Sequence, residues 1–293
     1  MAGGPSLVAT TSPRFEAVFR RRPLSAPETR PFHPESPAGR LWGELSERPH
    51  WGVEWRDAHG GLGGFGASTA QFAAVCAFGD GLGAWESGIA TSDWTRLLEL
   101  YRSVAWSGEG GRPSGADLIA QIRGGVSAFE EASGLSEVFA WPFPGLDLTL
   151  LRTGRKLATH EHLREIVVDG SHLSALREGA VAAVESMRSG DAAAFCAAIA
   201  CYGERLATLR LCAERTVDLL AQARRELGEL VLAAKGCGAM GADVLVLLHR
   251  PEARARVEAW AKGQALGLAG RAADIGARTG SGLAVETRGR DVL

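Results

Sequence analysis

The sequence predicts an α+β fold in two parts, divided near residue 145. Three observations carry this. Short alternating segments and short helices are mixed before Pro142-Phe143-Pro144-Gly145. Long alanine-rich helical stretches follow, with short apolar runs between them. A hydrophobic content of 46% over 293 residues is ample for packed cores, and that length suits one large domain or two ordinary ones.

Each element has its own signal. Leu7 to Phe19 alternates loosely and reads as strand with a turn at Ser12-Pro13. Proline density makes Pro23 to Pro37 an irregular connection. Trp51, Val53 and Trp55 alternate with polar or small residues, which predicts a strand. Ala67–Phe78 and Asp93–Ser103 read as helices, the second with Ser92 or Asp93 as N-cap. Gly108 to Gly115 is a loop, Ala116–Gly124 a helix and Val126–Phe129 a strand. Beyond residue 145, Leu146–Arg152 alternates as a strand. Helical stretches are predicted at Thr159–Val168, Ser171–Ser189, Asp191–Leu211 and Glu214–Leu227. Leu230–Ala234 and Val244–Leu248 are short strands around a second glycine turn. Pro251–Lys262 is helix, and Leu283–Glu286 is expected to close a sheet. The parts are therefore residues 1–145 and 146–293.

Charge excludes several functions. The net charge is -2 and the pI about 6.4, so nothing favours a nucleic-acid or anionic-membrane partner. The run Arg20-Arg21-Arg22 is short and reads as a solvated face or turn. Five cysteines, odd in number and without C-x-x-C spacing, indicate a reducing compartment with neither a disulfide frame nor a zinc site. Met1 to Pro5 carries no secretory signal, and no apolar run approaches the ~20 residues that span a bilayer. A cytoplasmic protein is expected. His160 and His162, two apart on a predicted helix, make a poor metal pair.

The richest segment is Gly60 to Gln71, a glycine-dense turn running into a small-residue helix. Glycines let backbone N–H groups approach a ligand closely, and the helix behind adds unpaired donors and a positive dipole end. That combination makes a phosphate cradle. Gly61-x-Gly63-x-x-Gly66 also fits the dinucleotide fingerprint, with Glu86 where a ribose-binding acid would stand. Against it, the following segment Gly79 to Gly88 is too glycine-rich for a buried strand. A Walker P-loop is excluded, because Gly66-Ala67-Ser68 holds no lysine. A tight strand-to-helix connection with no ligand is the plainer alternative.

Three further segments bear on this choice. They are Pro113 to Asp117 followed by Gln121 to Gly125, Thr153 to Thr159, and Lys235 to Asp243. In that order, the set resembles the GHMP kinases, the superfamily of galactokinase, homoserine kinase and mevalonate kinase. Gly64 to Ala70 is similar to the family's Gly-Leu-Gly-Ser-Ser-Ala-Ala phosphate loop. Ser114-Gly115-Ala116-Asp117 with Gly124-Gly125 resembles the Ser-Gly-x-Asp…Gly-Gly segment of the mevalonate and phosphomevalonate kinases. Lys235 to Asp243 resembles the third motif, Lys-x-Thr/Ser-Gly-Ala-Gly-Gly-Gly. The likeness runs from about residue 3 to the C-terminus.

The resemblance implies a GHMP kinase-like fold, with an N-terminal mixed α/β domain (1–145) and a C-terminal ferredoxin-like α+β domain (146–293). It implies ATP on Gly64, Gly66, Ala67, Ser68 and Thr69, with Ser68 also helping to hold Mg²⁺. Gly238, Ala239 and Gly241 would approach the phosphates from the third motif. Asp117 would be the catalytic carboxylate, orienting or deprotonating the acceptor hydroxyl. Ser114, Gly115, Thr153, Arg155 and Lys156 would lie at the acceptor, and the two cations suit a substrate already carrying phosphate. Blander roles stand beside these: a helix-start serine for Ser68, a helix-cap aspartate for Asp117, a solvated basic turn for Arg152, Arg155 and Lys156.

Departures from the pattern are specific. Ala67 replaces the first serine of the phosphate loop, Cys237 a hydroxyl residue, and Met240 a glycine. The family's first motif, with its lysine, lies on a strand ahead of the residues that resemble Gly3 to Val8. A second Mg²⁺-binding acid would fall near Trp106, with Glu109 close by. The expected function is ATP-dependent phosphorylation of a small acceptor, phosphomevalonate or mevalonate, in isoprenoid precursor synthesis by a monomer or homodimer. The alternatives are a catalytically impaired GHMP-like nucleotide- or metabolite-binding protein and an NAD-binding oxidoreductase.

Overall fold

A computed structural model describes residues 4–23, 25, 31–61, 64–83, 94–108, 112–154, 170–238, 244–276 and 282–286. Along the chain, β1 (Ser6–Ala9) and β2 (Glu16–Arg21) come first, on either side of the predicted turn at Ser12-Pro13. Helix α1 (Pro37–Glu44) follows the proline-rich connection expected at Pro23 to Pro37, in a stretch for which no element was expected. Its signals are local: Ser36 caps it by accepting from the Gly39 amide at 3.1 Å, and Pro37 occupies its first turn. Strand β3 (Trp51–Arg56) and helix α2 (Ala67–Gly81) match the expectation, as do α3 (Trp94–Ala105) and α4 (Ala116–Arg123). Strands β4 (Val126–Glu130) and β5 (Leu135–Phe139) form a hairpin, of which β5 was not foreseen.

The second half carries β6 (Asp147–Arg152), α5 (Gly170–Ser189), α6 (Ala192–Thr208) and α7 (Glu214–Leu227). It continues with β7 (Val231–Cys237), β8 (Val244–His249), α8 (Arg254–Gly263) and β9 (Gly267–Arg271). Among the described residues the last strand is β9. Leu283–Glu286, expected as a closing strand, has no regular structure and instead donates the Leu283 amide to the Ile122 carbonyl at 3.1 Å. The signal had been masked by Gly267 and Gly270, which weaken a strand reading. The stretch predicted as helix at Thr159–Val168 lies outside the described residues.

Two compact units divide the chain, and each is discontinuous. One comprises Met1–Pro13, His59–Phe65 and Gly125–Ala277; the other comprises Arg14–Ala58, Gly66–Gly124 and Arg278–Leu293. Strand pairing explains the larger one. β1 pairs with β4, so the sheet β1-β4-β5 ties the N-terminus to the middle of the sequence. Its second sheet has the order β7-β8-β6-β9, all antiparallel. With helices between β6 and β7 and between β8 and β9, this is the β-α-β-β-α-β ferredoxin-like arrangement. One core places α5 and α6 residues Ala183, Met187 and Phe195 with Leu148, Val246 and Leu248. Another places α7 and α8 residues Leu219, Ala223, Val257 and Trp260 with Leu151, Leu245 and Leu247. β8 is buried at every position, which is why Val244 to Leu248 reads as an unbroken apolar run.

The smaller unit pairs β2 with β3 and packs α1 to α4 around Leu41, Phe72, Val75, Cys76, Leu97 and Leu118. Burial pushes the Cys76 thiol up to about 12, as befits a core thiol without chemistry.

Candidate active site

The glycine turn ends in a geometry that only glycine accepts. Gly66 is the N-cap of α2 at φ +73°, and no side chain caps the helix. A Cβ at Gly66 would lie 2.5 Å from Gln121 Nε2 and 3.0 Å from Thr69 Oγ1. The Gly66 carbonyl is held by three donors. The Ala70 amide closes the first helical turn at 2.9 Å, and Thr69 Oγ1 and Gln121 Nε2 each donate at 2.8 Å. The carbonyl is thus fixed along the helix, and the first-turn amides of Ala67 and Ser68 face away from it, as helix geometry requires. Ser68 is exposed, whereas Thr69 is buried and spends its hydroxyl on the turn.

Helix α4 starts in the same way. Gly115 is its N-cap at φ +73°, and a Cβ there would meet Leu98 Cδ2 at 2.0 Å. The preceding loop is held from behind by Arg102, which is buried and donates to the carbonyls of Pro113 at 2.9 Å and Ser114 at 3.0 Å. Ser114 Oγ accepts from the Ala116 amide at 3.3 Å, a local turn contact. Asp117 stands in the first turn of α4 with its side chain exposed. Desolvation by the surrounding protein raises its carboxyl above the ordinary aspartate value. Tyr101, edge-on to Phe72 at 5.1 Å, feels both burial and the Asp117 charge, and its phenol is raised. Gln121 couples the two helix starts, because one helix carries Asp117 and Gln121 and the other begins at the carbonyl Gln121 holds.

In the larger unit, Gly64 sits at φ +92° in the glycine turn. Thr153 follows β6 and is buried. Gly238, at φ +84°, ends β7 beyond Cys237, whose Sγ lies 3.5 Å from Lys235 Nζ. Ala239, Gly241, Arg155, Lys156, Glu86, Glu109 and Asp243 lie outside the described residues.

No family profile matches the sequence, and no characterised protein matches it by sequence. Solved structures do match in shape. Streptococcus pneumoniae phosphomevalonate kinase in complex with phosphomevalonate and AMPPNP superposes with a TM-score of 0.68 at 15% identity, over 92% of this chain and 93% of that one. Lactococcus lactis galactokinase complexed with galactose gives 0.69 at 11% identity, over 96% and 89%. Mevalonate kinase of L. major in complex with R-mevalonate gives 0.60 at 18% identity, over 91% and 89%. The fold is that of the GHMP kinases.

Within the GHMP-kinase fold, sequence reasoning located Gly66, Ser68, Gly115 and Asp117 at two helix starts of one unit. It missed Gln121, Arg102 and Tyr101, which lie on helix faces and carry no motif; Gln121 was quoted only as a spacer before Gly124-Gly125. It also grouped Arg152 with the basic turn, whereas Arg152 donates to His59 Nδ1 at 2.9 Å and lies over the Phe65 ring at 5.2 Å. The dinucleotide reading needs a parallel β-α-β unit, and every strand pairing among the described residues is antiparallel. No helix among the described residues is long and apolar enough to cross a membrane.

The uncapped α2 start, with a glycine where a Cβ would fill the turn, fits a phosphate group. Among the described residues no cluster of three or more His, Cys, Asp or Glu side chains could hold a metal alone.

Proposed function

We propose that the chain is an ATP-dependent small-molecule kinase, with phosphomevalonate as first-choice acceptor and mevalonate as second. One observation carries the reading. The helix bearing Asp117 is locked by Gln121 onto the Gly66 carbonyl, where the uncapped α2 begins. A carboxylate and a ring of backbone donors are the two parts that phosphoryl transfer asks of a protein besides the metal.

In this reading, backbone N–H groups of Gly64, Gly66, Ala67, Ser68 and Thr69 hold the ATP phosphates. Gly238, Ala239 and Gly241 contribute from the third motif. Mg²⁺, held by Ser68 and the phosphates, offsets the charge on the transferred group. Asp117 accepts the proton of the acceptor hydroxyl, or its hydrogen bond, as that oxygen attacks the γ-phosphorus. Ser114, Gly115, Thr153, Arg155 and Lys156 bind the acceptor, the last two through its phosphate. The phosphate loop and Asp117 belong to residues 1–145, and the third motif to 146–293. The AMPPNP held by a neighbour of the same fold supports ATP as donor. A cytoplasmic monomer or homodimer completes the proposal.

The test is Mg-ATP-dependent ADP release with phosphomevalonate and mevalonate offered separately, beside Asp117→Asn. Turnover that falls by a hundredfold or more in the variant, at unchanged ATP affinity, supports the kinase and its acceptor. ATP binding without turnover on either acceptor favours the second reading, a catalytically impaired relative that binds nucleotide. That second reading draws on Ala67, which removes a hydroxyl from the phosphate loop.

A further inference from the structure

His59 and Phe65 bracket the glycine segment, and both are engaged in the same unit by Arg152 at the end of β6. His59 is buried. Its ring lies parallel to Phe65, with centroids 4.2 Å apart and an interplanar angle of 4°. Arg152 Nη2 is 2.9 Å from His59 Nδ1, and the guanidinium carbon lies 5.2 Å from the Phe65 centroid. Arginine has no acceptor, so Nδ1 accepts and the ring proton sits on Nε2, which donates to the Pro13 carbonyl at 3.1 Å. One cation therefore grips His59 and Phe65, between which Gly60, Gly61 and Gly64 all stand at positive φ.

Such a grip has a physical purpose. Glycine loses more conformational freedom on ordering than any other residue, so a glycine segment left alone is expensive to fix. Closing its two ends onto one side chain meets that cost before a ligand arrives. Arg152 Nε is buried with no hydrogen-bond partner, a cost that a side chain selected for stability alone would shed.

We propose that Arg152 and His59 are positioning residues that pre-order the described glycines of this turn, Gly60, Gly61 and Gly64, for anion binding. Neither needs to touch the anion. The anion-binding half rests on the nucleotide reading above; the ordering half does not.

Two measurements on the full chain separate them. Amide hydrogen exchange reports the order of residues 59–66, and titration with Mg²⁺-AMPPNP reports affinity. Arg152→Met and His59→Leu are expected to speed exchange across 59–66 at least tenfold and to weaken AMPPNP about tenfold. His59→Asn, whose Oδ1 can accept from Arg152 in place of Nδ1 but which lacks the ring stack, is expected to recover both in part. Should Arg152→Met fail to fold, Phe65→Leu removes the ring stack and the Arg152–ring contact but keeps the Arg152–His59 hydrogen bond, and is expected to shift the same two readouts by a smaller factor. Unchanged exchange in Arg152→Met and His59→Leu would overturn the proposal, as would fast exchange with wild-type affinity. If the wild type itself binds no AMPPNP, the kinase reading fails, and the exchange measurement still decides whether the clamp orders the segment.

Discussion

Asp117 has an environment that predicts its own titration. Desolvation raises its carboxyl above the ordinary aspartate value, so folding favours the protonated form. The sign follows from linkage: this stabilisation is complete below the unfolded-state pKa and is lost as pH rises through the higher folded-state pKa. Asp117→Asn should therefore flatten the acid side of the stability curve and leave the protein at least as stable at neutral pH. Chemical denaturation at several pH values checks it. A variant clearly less stable than wild type at pH 7 would mean that Asp117 serves as a cap in α4 rather than as a reactive carboxylate. In the same protein, the acid limb of the turnover profile should lie above the ordinary aspartate range. Asp117 was legible in the sequence because Ser-Gly-x-Asp is a pattern; its partner Tyr101 was not, since a tyrosine on a helix announces nothing until the helices pack.

At the scale of elements, α2 and α4 work as one device. Both begin at a glycine of φ +73°, and Gln121 from one fixes the carbonyl that starts the other. Gly66→Ala places a Cβ 2.5 Å from Gln121 Nε2 in left-handed backbone. The backbone term alone costs about 1–2 kcal/mol, and displacing Gln121 removes one of the three donors to the carbonyl. The variant should lose about that stability in a denaturant melt and bind nucleotide more weakly, with Gln121→Ala reproducing the binding loss at a smaller stability cost. Nucleotide affinity unchanged in both would detach this turn from phosphate binding. The helices themselves were readable from periodicity and glycine punctuation, as were β3, β6 and β8. Strand β5 was hidden because Leu135–Phe139 is partly exposed and mixed in character, and its pairing with β4 decides it. Helix α1 was hidden by the prolines around it, although Ser36-Pro37 is a start signal.

Across the whole molecule, topology was the least legible level. The motif order pointed to the right superfamily fold, yet nothing local tells β1 to pair with β4 across more than a hundred residues. The four-stranded sheet depends on a similar long-range tie. Asp147 opens its inner strand β6, is 3% exposed, and accepts from the Leu148 amide at 2.8 Å and from Arg254 Nε at 2.6 Å. It thereby joins β6 to the start of α8, with a longer contact to the Ala272 amide at 3.4 Å. The pair is asymmetric, because the Arg254 side chain is 44% exposed. Losing Arg254 strands a buried carboxylate, whereas losing the carboxylate leaves a guanidinium that reaches water. Arg254→Met should therefore cost more than Asp147→Asn. Its cost should be about 2 kcal/mol, below the ~3–5 kcal/mol of a fully buried pair because one partner is already solvated. The double variant should fall near the milder single one, since the penalty lies in the unpaired charge. Denaturant melts of the three variants measure this. Equal costs that simply add would show that the two side chains act independently and that the β6–α8 junction is held by the apolar packing of Leu151, Val257 and Trp260 instead.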